Sequence, residues 1–555
     1  MLRTRLLVST LGLCLGFSPV FATEPPQPSQ TNLPSAADYL PPPPPAQQPL
    51  AAELAPPGFA EEFTQRLSIN DRRLAAVERA DRTALLQLYA ERRYEPLWIG
   101  DSGINAAGMA IAGELASAEE WGLSPADFNL PALPSGPGLT RNERADAEVT
   151  ISLALLKYAR HARGGRTDPL ALSKNLDRKP RLLDPRVVME AVAKEQNPDA
   201  YLRSLHPQHP QFERLRQRYL ALKRDEPTGA LQPAVYTGPK QKSSKQAKAP
   251  SQAAMLRTLL VNMEQWRWMP DDLGAFYVWV NIPEYTLRVM RGGQMVHTER
   301  VVVGRTNTQT PVFSDEMEHV IFHPFWGVPD SIKKDELLPN LMRGNTSVLE
   351  RSNLRLQFRG RDVDPRTVDW SRADMRQFHV YQPPGADNVL GVVKFRFPNN
   401  HAVYMHDTPA KNLFNAQVRT FRHGCMRVRD PLKLAAVVLG QDRGWTAQQV
   451  DATVRKGPKN NWINLNQKVP VHITYFTAWV EDDGRLSTYA DIYGHETRIA
   501  MGVTRKTQMI ATPKQEQTAP ATAQKARPRA MQVQIADPRP ARRADRDWAA
   551  RLFNN

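Results

Sequence analysis

Apolar and polar positions change their period along this chain. From about residue 59 to 225 apolar residues recur three and four apart. Leu85, Leu86, Leu88 and Tyr89 share one helical face, and Ile104–Trp121 is an alanine-rich run that stops at Gly122. Ile151–Ala162 is a further helix, closed by Gly164 and Gly165. From Ala275 the period becomes two. Phe276–Ile282, Tyr285–Met290 and Met295–Val303 read as consecutive strands with a turn at Gly292-Gly293. Val471–Val480, an Asp483-Gly484 turn and one more short strand are expected to close the sheet. Between Val320-Ile321-Phe322 and Gly391–Phe397 lies a long polar insertion, of the kind that acts as a lid when it stands beside an active site.

Four stretches cannot form a core. Residues 1–22 read as a secretory signal: Arg3 and Arg5, an apolar run from Leu6 to Phe17, and a small-residue cleavage site ending at Ala22. Residues 23–58 are Pro-rich and suit an extended tether. Residues 226–253 form a Pro/Gly/Ser linker with Lys240, Lys242, Lys245 and Lys248 and no acid among them. Residues 501–555 form a basic disordered tail with eleven Lys/Arg against four Asp/Glu.

The formal charge of +16 by itself invites a polyanion. Export and the lack of aromatic residues interleaved with the basic ones argue against nucleic acid. No stretch is long and apolar enough to span a bilayer, and periplasmic localisation is expected. Removal of the leader takes Cys14 and leaves Cys425 as the sole cysteine. A lone thiol in an oxidising compartment needs a reason, and catalysis is the economical one.

The residues around it fit that role. If His401–Thr408 is extended, Ala402, Tyr404 and His406 share a face. The same alternation puts His423, Cys425 and Arg427 together, with Met426 and Val428 behind. A helix should follow, with Asp430 as N-cap, Pro431 in the first turn and Gly440 as the stop. A thiol attacks as thiolate, so an adjacent imidazole and an electropositive setting that lowers its pKa are expected. His406 is the candidate base and Cys425 the nucleophile. Gly424 lets the backbone approach a bound carbonyl, and the N–H groups of residues 424–426, Met426 included, are candidate oxyanion donors. Arg427 suits a substrate carboxylate. His379 and His401 read as ordinary half-buried strand residues. His319 and His323 lie in a strand-like context with no second Cys nearby, so no metal site is expected.

The blocks His406-Asp-Thr-Pro409 and Arg422-His-Gly-Cys-Met-Arg-Val428 resemble the signature of the YkuD-type L,D-transpeptidases. Residues 261–270, 391–399 and 490–494 resemble the family's large periplasmic YcbB-like subgroup. The resemblance implies an α+β multidomain chain, with an N-terminal helical scaffold domain (59–225) and a mostly β catalytic domain (254–500) that carries a capping insertion, for which Ser331–Tyr381 is the candidate lid. It implies Cys425 as nucleophile, His406 as base, and His423, Gly424 and Arg427 as the surrounding block, without cofactor; the residues themselves add Tyr404 and Met426 to the candidate oxyanion and substrate-binding set. It implies peptidoglycan tetrapeptide stems as substrate, with D-Ala released, a thioester formed and a diaminopimelate amine as acceptor; carbapenems would acylate the same thiol. Water or an envelope protein are the alternative acceptors. Two departures stand out. Arg422 replaces the usual Ser or Thr, and Asp407 follows the base where shorter members often have Gly. The small peptidoglycan-binding module common in large relatives is replaced by the 226–253 linker.

Overall fold

The computed structural model describes residues 58–68, 74–100, 102–130, 138–224 and 250–504, without the side chains of residues 422 and 504. The expected leader, nearly all of the Pro-rich segment, most of the Lys-rich linker and residues 505–555 lie outside the described residues.

The helical half runs α1 (Phe59–Leu67), α2 (Ala76–Glu91), a small ribbon of β1 (Ile99–Gly100) and β2 (Gly103–Ile104), α3 (Ala106–Ala116), α4 (Arg141–Gly164), α5 (Pro169–Leu172), α6 (Pro185–Lys194), α7 (Pro198–Ser204) and α8 (Pro210–Lys223). Local chemistry sets these ends. The Thr140 hydroxyl accepts from the Glu143 N–H while the Glu143 carboxylate accepts from the Thr140 N–H at 2.8 Å, a reciprocal cap at the start of α4. Gly165 ends that helix with φ 84°, a conformation open to glycine. Phe63, Leu85, Tyr89, Ile151, Leu155 and Tyr158 pack into one core. Within it Glu148, fully buried, accepts from the Tyr89 hydroxyl at 2.5 Å and the Trp98 N–H at 3.0 Å. The Ile104–Trp121 run is helical only to Ala116; a 3₁₀ turn carries it to Trp121, and Gly122 stops it with φ 70°.

The mostly β half opens with α9 (Gln252–Trp266), then β3 (Phe276–Asn281), β4 (Thr286–Arg291), β5 (Gln294–Gly304) and β6 (Phe313–Phe322). The insertion follows as β7 (Trp326–Gly327), α10 (Asp330–Ile332), a π-helical turn Lys333–Leu337, α11 (Leu338–Met342), α12 (Ser347–Arg351), β8 (Arg355–Phe358), β9 (Arg361–Asp362) and β10 (Phe378–Gln382). The chain returns with β11 (Val393–Arg396), β12 (Met405–His406), β13 (Thr420–Arg422), β14 (Met426–Val428), α13 (Pro431–Arg443), α14 (Ala447–Lys456), β15 (Asn461–Thr474), β16 (Ala478–Val480), β17 (Leu486–Thr488) and α15 (His495–Thr504).

The large sheet has the order β5-β14-β12-β11-β6-β15-β3-β4, and β4 pairs back onto β5, so the sheet closes into a barrel with β13 added beside β5. Closure leaves these eight strands without a free edge. Val278, Val301, Met317, Val320, Phe395, Met405, Met426 and Ile473 fill its apolar cluster.

Several sequence expectations shift here. The Val471–Val480 strand is two. Asn262 and Asn281 accept the N–H groups of Thr477 and Phe476, each at 2.9 Å, turning the chain onto α9. β16 and β17 therefore form a ribbon of their own instead of closing the sheet. The insertion has an apolar cluster of its own, including Trp326, Ile332, Leu337, Leu356, Trp370 and Phe378, and its sheet starts at Trp326, ahead of Ser331. Its short elements bury only alternate residues, which is why it reads as polar. Gly440 lies inside α13, and Gly444 with φ 72° ends that helix. Asp430 pairs with Lys433 at 2.9 Å and makes no side-chain cap. The expected tail begins inside α15.

Candidate functional site

The site starts from strand register. β12 and β14 are parallel neighbours, with Met405 opposite Met426 and His406 opposite Arg427. On the other side of β12, Lys394 of β11 lies opposite His406. Alternation sends Met405 and Met426 into the core and leaves Lys394, His406 and Arg427 as a row across three strands of the opposite face. Cys425 immediately precedes β14, beside Tyr404, whose carbonyl accepts the Met426 N–H at 3.1 Å.

Both strands are shorter than the sequence suggests. Ala402 takes φ 53° and breaks the expected run from His401. The Asn399 side chain folds that loop, donating to the Phe397 and Val403 carbonyls and accepting from the His401 and Val403 N–H groups. Ala402 thus leaves the His406 face, and its carbonyl meets the Cys425 Sγ at 3.8 Å. His423 and Gly424 form a bend, because the Thr310 hydroxyl donates to the Gly424 carbonyl at 2.8 Å. A Cβ on Gly424 would stand 3.1 Å from the Gln309 carbonyl, so this glycine serves tight packing against the 309 loop.

His406 is buried, and its Nδ1–H donates to the Asp407 carbonyl at 2.5 Å, which leaves Nε2 as the nitrogen that accepts a proton. A backbone carbonyl thus orients the ring, and Asp407 is accommodated in place of glycine. Its carboxylate accepts from Lys411 Nζ at 2.6 Å and from the Val392 N–H at 3.0 Å. Tyr404 and His406 meet edge to face at 5.6 Å. Arg427 is almost wholly buried, and its Nε and Nη1 lack a protein partner. Burial pulls its guanidinium down to about 10. His423 is less enclosed and pairs through Nε2 with Glu336 of the insertion at 3.1 Å.

Two expectations need correcting. Burial pushes the Cys425 thiol up, outweighing hydrogen bonds from Tyr404 and the positive charges of Lys394 and Arg427. The resting sulfur is therefore a thiol, and ionisation falls to a base at the moment of attack. The Met426 N–H is engaged by Tyr404, so the candidate oxyanion donors reduce to the N–H groups of Gly424 and Cys425. His401 lies in the loop before β12 and its Nε2–H donates to the Asp177 carboxylate of the helical half at 2.8 Å. His379 lies in β10 but is exposed. His319 lies in β6 and His323 directly follows it. Among the described residues no His/Cys/Asp/Glu cluster has metal-holding geometry, and no helix is long and apolar enough to cross a membrane.

Residues 275–473 match the family described as the L,D-transpeptidase catalytic domain. The chain carries an L,D-transpeptidase catalytic domain. Residues 83–218 match the family described as the Scaffold domain, which gives a YcbB-like architecture. A Haemophilus influenzae protein named "Putative L,D-transpeptidase" is 32% identical over 241 residues, covering 43% of this chain. The chain spans about half of that relative, 48% of its length. Solved L,D-transpeptidases of Mycobacterium smegmatis and Mycobacterium tuberculosis are 11% and 12% identical. Each covers 36% of this chain, with 58% and 61% of their own lengths and TM-scores of 0.17 and 0.15.

The L,D-transpeptidase domain also holds residues that sequence reasoning passed over. The sequence singles out neither Lys394, Trp326 nor Thr310, and marks Glu336 only by its place in the Ser331–Tyr381 candidate lid. The period-two pattern of β11 places Lys394 and Arg396 on one face, but only the β11–β12 pairing brings Lys394 opposite His406.

The Scaffold domain grips the barrel through buried polar groups. Glu264 of α9, fully buried, accepts from the Arg166 and Thr167 N–H groups at 2.5 and 3.0 Å. Arg178 donates to the Ile473 carbonyl at 2.7 Å and to Ser314. Leu176 bridges to Val312 as a single parallel β-pair.

Proposed function

We propose that this protein is a cysteine-dependent L,D-transpeptidase of the periplasm that acts on peptidoglycan tetrapeptide stems. His406 Nε2 takes the Cys425 proton, and the sulfur attacks the carbonyl between diaminopimelate and the terminal D-Ala. The N–H groups of Gly424 and Cys425 receive the oxyanion, and the free nitrogens of Arg427 take a stem carboxylate. As the C–N bond breaks, the His406 imidazolium protonates the departing amine, leaving a thioester on Cys425. The side-chain amine of a second diaminopimelate then attacks that thioester. This forms a direct cross-link between stems and returns the proton to the sulfur.

The observation that carries this reading is the register of β12 against β14. It sets a ring with its Nδ1–H committed to a backbone carbonyl opposite Arg427, one strand away from the approach to Cys425. The match of residues 275–473 supplies the reaction class. Purified enzyme incubated with disaccharide-tetrapeptide is expected to yield cross-linked dimers by mass spectrometry. Trimmed monomers alone would make it a carboxypeptidase, and a muropeptide joined to a protein amine would make an envelope protein the acceptor.

A further inference from the structure

The sulfur of Cys425 sits among more positive charge than the expected nucleophile, base and carboxylate-binding arginine require. Lys394 of β11 is half-buried, and its ammonium lies over the Tyr404 ring, 3.9 Å from the centroid. That is a close cation–π contact, which fixes the end of an otherwise flexible side chain. The Tyr404 hydroxyl in turn bonds to the Cys425 sulfur and to Trp326 of the insertion. The indole N–H can only donate, so the phenol keeps its own proton for the sulfur. Lys394 and Cys425 interact electrostatically, burial drawing the lysine down and a negative sulfur drawing it up. Burying an ammonium is costly unless a negative charge compensates it. No salt bridge to Lys394 is found among the described residues, and the group opposite it on β12 is His406. The charge that would compensate this lysine is the one that forms on the sulfur during the reaction.

We propose that Lys394 is a positioning residue that acts as the charge partner of the Cys425 thiolate, held at the nucleophile by the face of Tyr404. This leaves the Nε and Nη1 of Arg427 for the substrate carboxylate instead of the sulfur. The division rests on the reading of Cys425 as nucleophile. It gives the two cations separate tasks. The lysine stabilises the sulfur when it gains charge, in attack and again when the thioester is broken. The arginine is spent on binding. The other ionisable groups facing the lysine and the sulfur are His406 of β12, Tyr404 just before it, Arg396 of β11, and the His423–Glu336 pair between the 423–424 bend and the insertion.

The test is the pH dependence of Cys425 alkylation by iodoacetamide in the full chain, read by peptide mass spectrometry. Neutral variants Lys394→Met and Lys394→Gln are compared with Lys394→Arg. Both neutral variants are expected to label about three- to tenfold more slowly near neutral pH, with the profile moved to higher pH. The arginine variant is expected to stay within about twofold of the parent. A lysine that merely props up Tyr404 would leave the position of the profile unchanged. That result in either folded neutral variant, or an arginine variant that moves with them, overturns the proposal. Labelling needs no peptidoglycan. Loss of stem cross-linking with an unchanged labelling difference would therefore count against the proposed reaction and not against Lys394.

Discussion

The Nδ1–H of His406 donates to the main-chain carbonyl of Asp407, 2.5 Å away, so the base is oriented by the backbone next to it. An orienting carboxylate is therefore unnecessary, and the acid at 407 is free for packing. Its Oδ2 occupies the space that a Cβ at residue 391 would need, 2.2 Å from where that atom would stand, and Gly391 has φ 59°. Gly391→Ala is expected to displace Asp407 and with it the ring. It should lower kcat by about 10²-fold, in the range of a misplaced general base. Steady-state kinetics together with a fold check by circular dichroism would show it. Unchanged kcat would mean that this carbonyl does not hold the base.

Cys425→Ala should abolish stem cross-linking, by about 10³-fold or more, and remove the mass that a carbapenem adds to the intact protein. The residue is only half-buried, so thermal stability should change little. Intact mass spectrometry of parent and variant after carbapenem exposure is decisive. An adduct on the variant would place the nucleophile elsewhere.

Glu264 is fully buried and receives two backbone N–H groups of the scaffold loop, and Gly165 passes so close that a Cβ there would lie 2.6 Å from its Oε1. Glu264→Leu strands those donors and the Arg267 guanidinium. A loss of about 3 kcal/mol is expected, in the range for removing one side of a buried charged hydrogen-bond set. Urea denaturation measures it, and limited proteolysis should open first near residues 165–172. A loss under about 1 kcal/mol would show that the loop is held by other contacts.

Acid should weaken the fold below about pH 6.5. Burial draws His472 in the barrel down to about 4, with its Nε2–H on the Leu273 carbonyl at 2.9 Å, and draws His209 and His495 to about 4 as well. These rings are neutral when folded, so the unfolded chain binds more protons between about pH 6.5 and 4. Stability is full above the unfolded value and is lost as pH falls through that window. His472 alone contributes on the order of 3 kcal/mol to the loss. Melting temperatures from pH 8 down to pH 5 should fall, and less steeply in His472→Gln. A flat profile would contradict the burial of these rings.

The pairing of Glu336 with His423 joins the insertion to the bend before the thiol at 3.1 Å. A partly exposed pair of this kind adds little to global stability. Glu336→Gln should therefore leave the melting temperature within about 1 °C, since about 0.5 kcal/mol or less is at stake in a chain of this size. It should speed amide exchange in residues 330–342. Unchanged exchange would mean that the apolar contacts of Trp326 and its neighbours hold the insertion in place by themselves.

Much of this protein is legible one residue at a time. The switch from a helical period to a period of two locates the helical and β halves, because burial of one face imposes those periods on any sequence. Cys425, His406 and Arg427 stand out because few positions combine a thiol, imidazoles and a guanidinium with glycine between them. What depends on neighbours in space could not be read that way. Lys394 joins the site only because β11 lies beside β12, and the Met426 N–H leaves the oxyanion set only because the Tyr404 carbonyl takes it. The protonation of the sulfur was reversed by burial, which is a sum over all surrounding atoms and has no signature in local spacing. Short-range pattern determined which residues could do chemistry. Tertiary packing decided which of them meet, which donors remain free, and which charge each one carries.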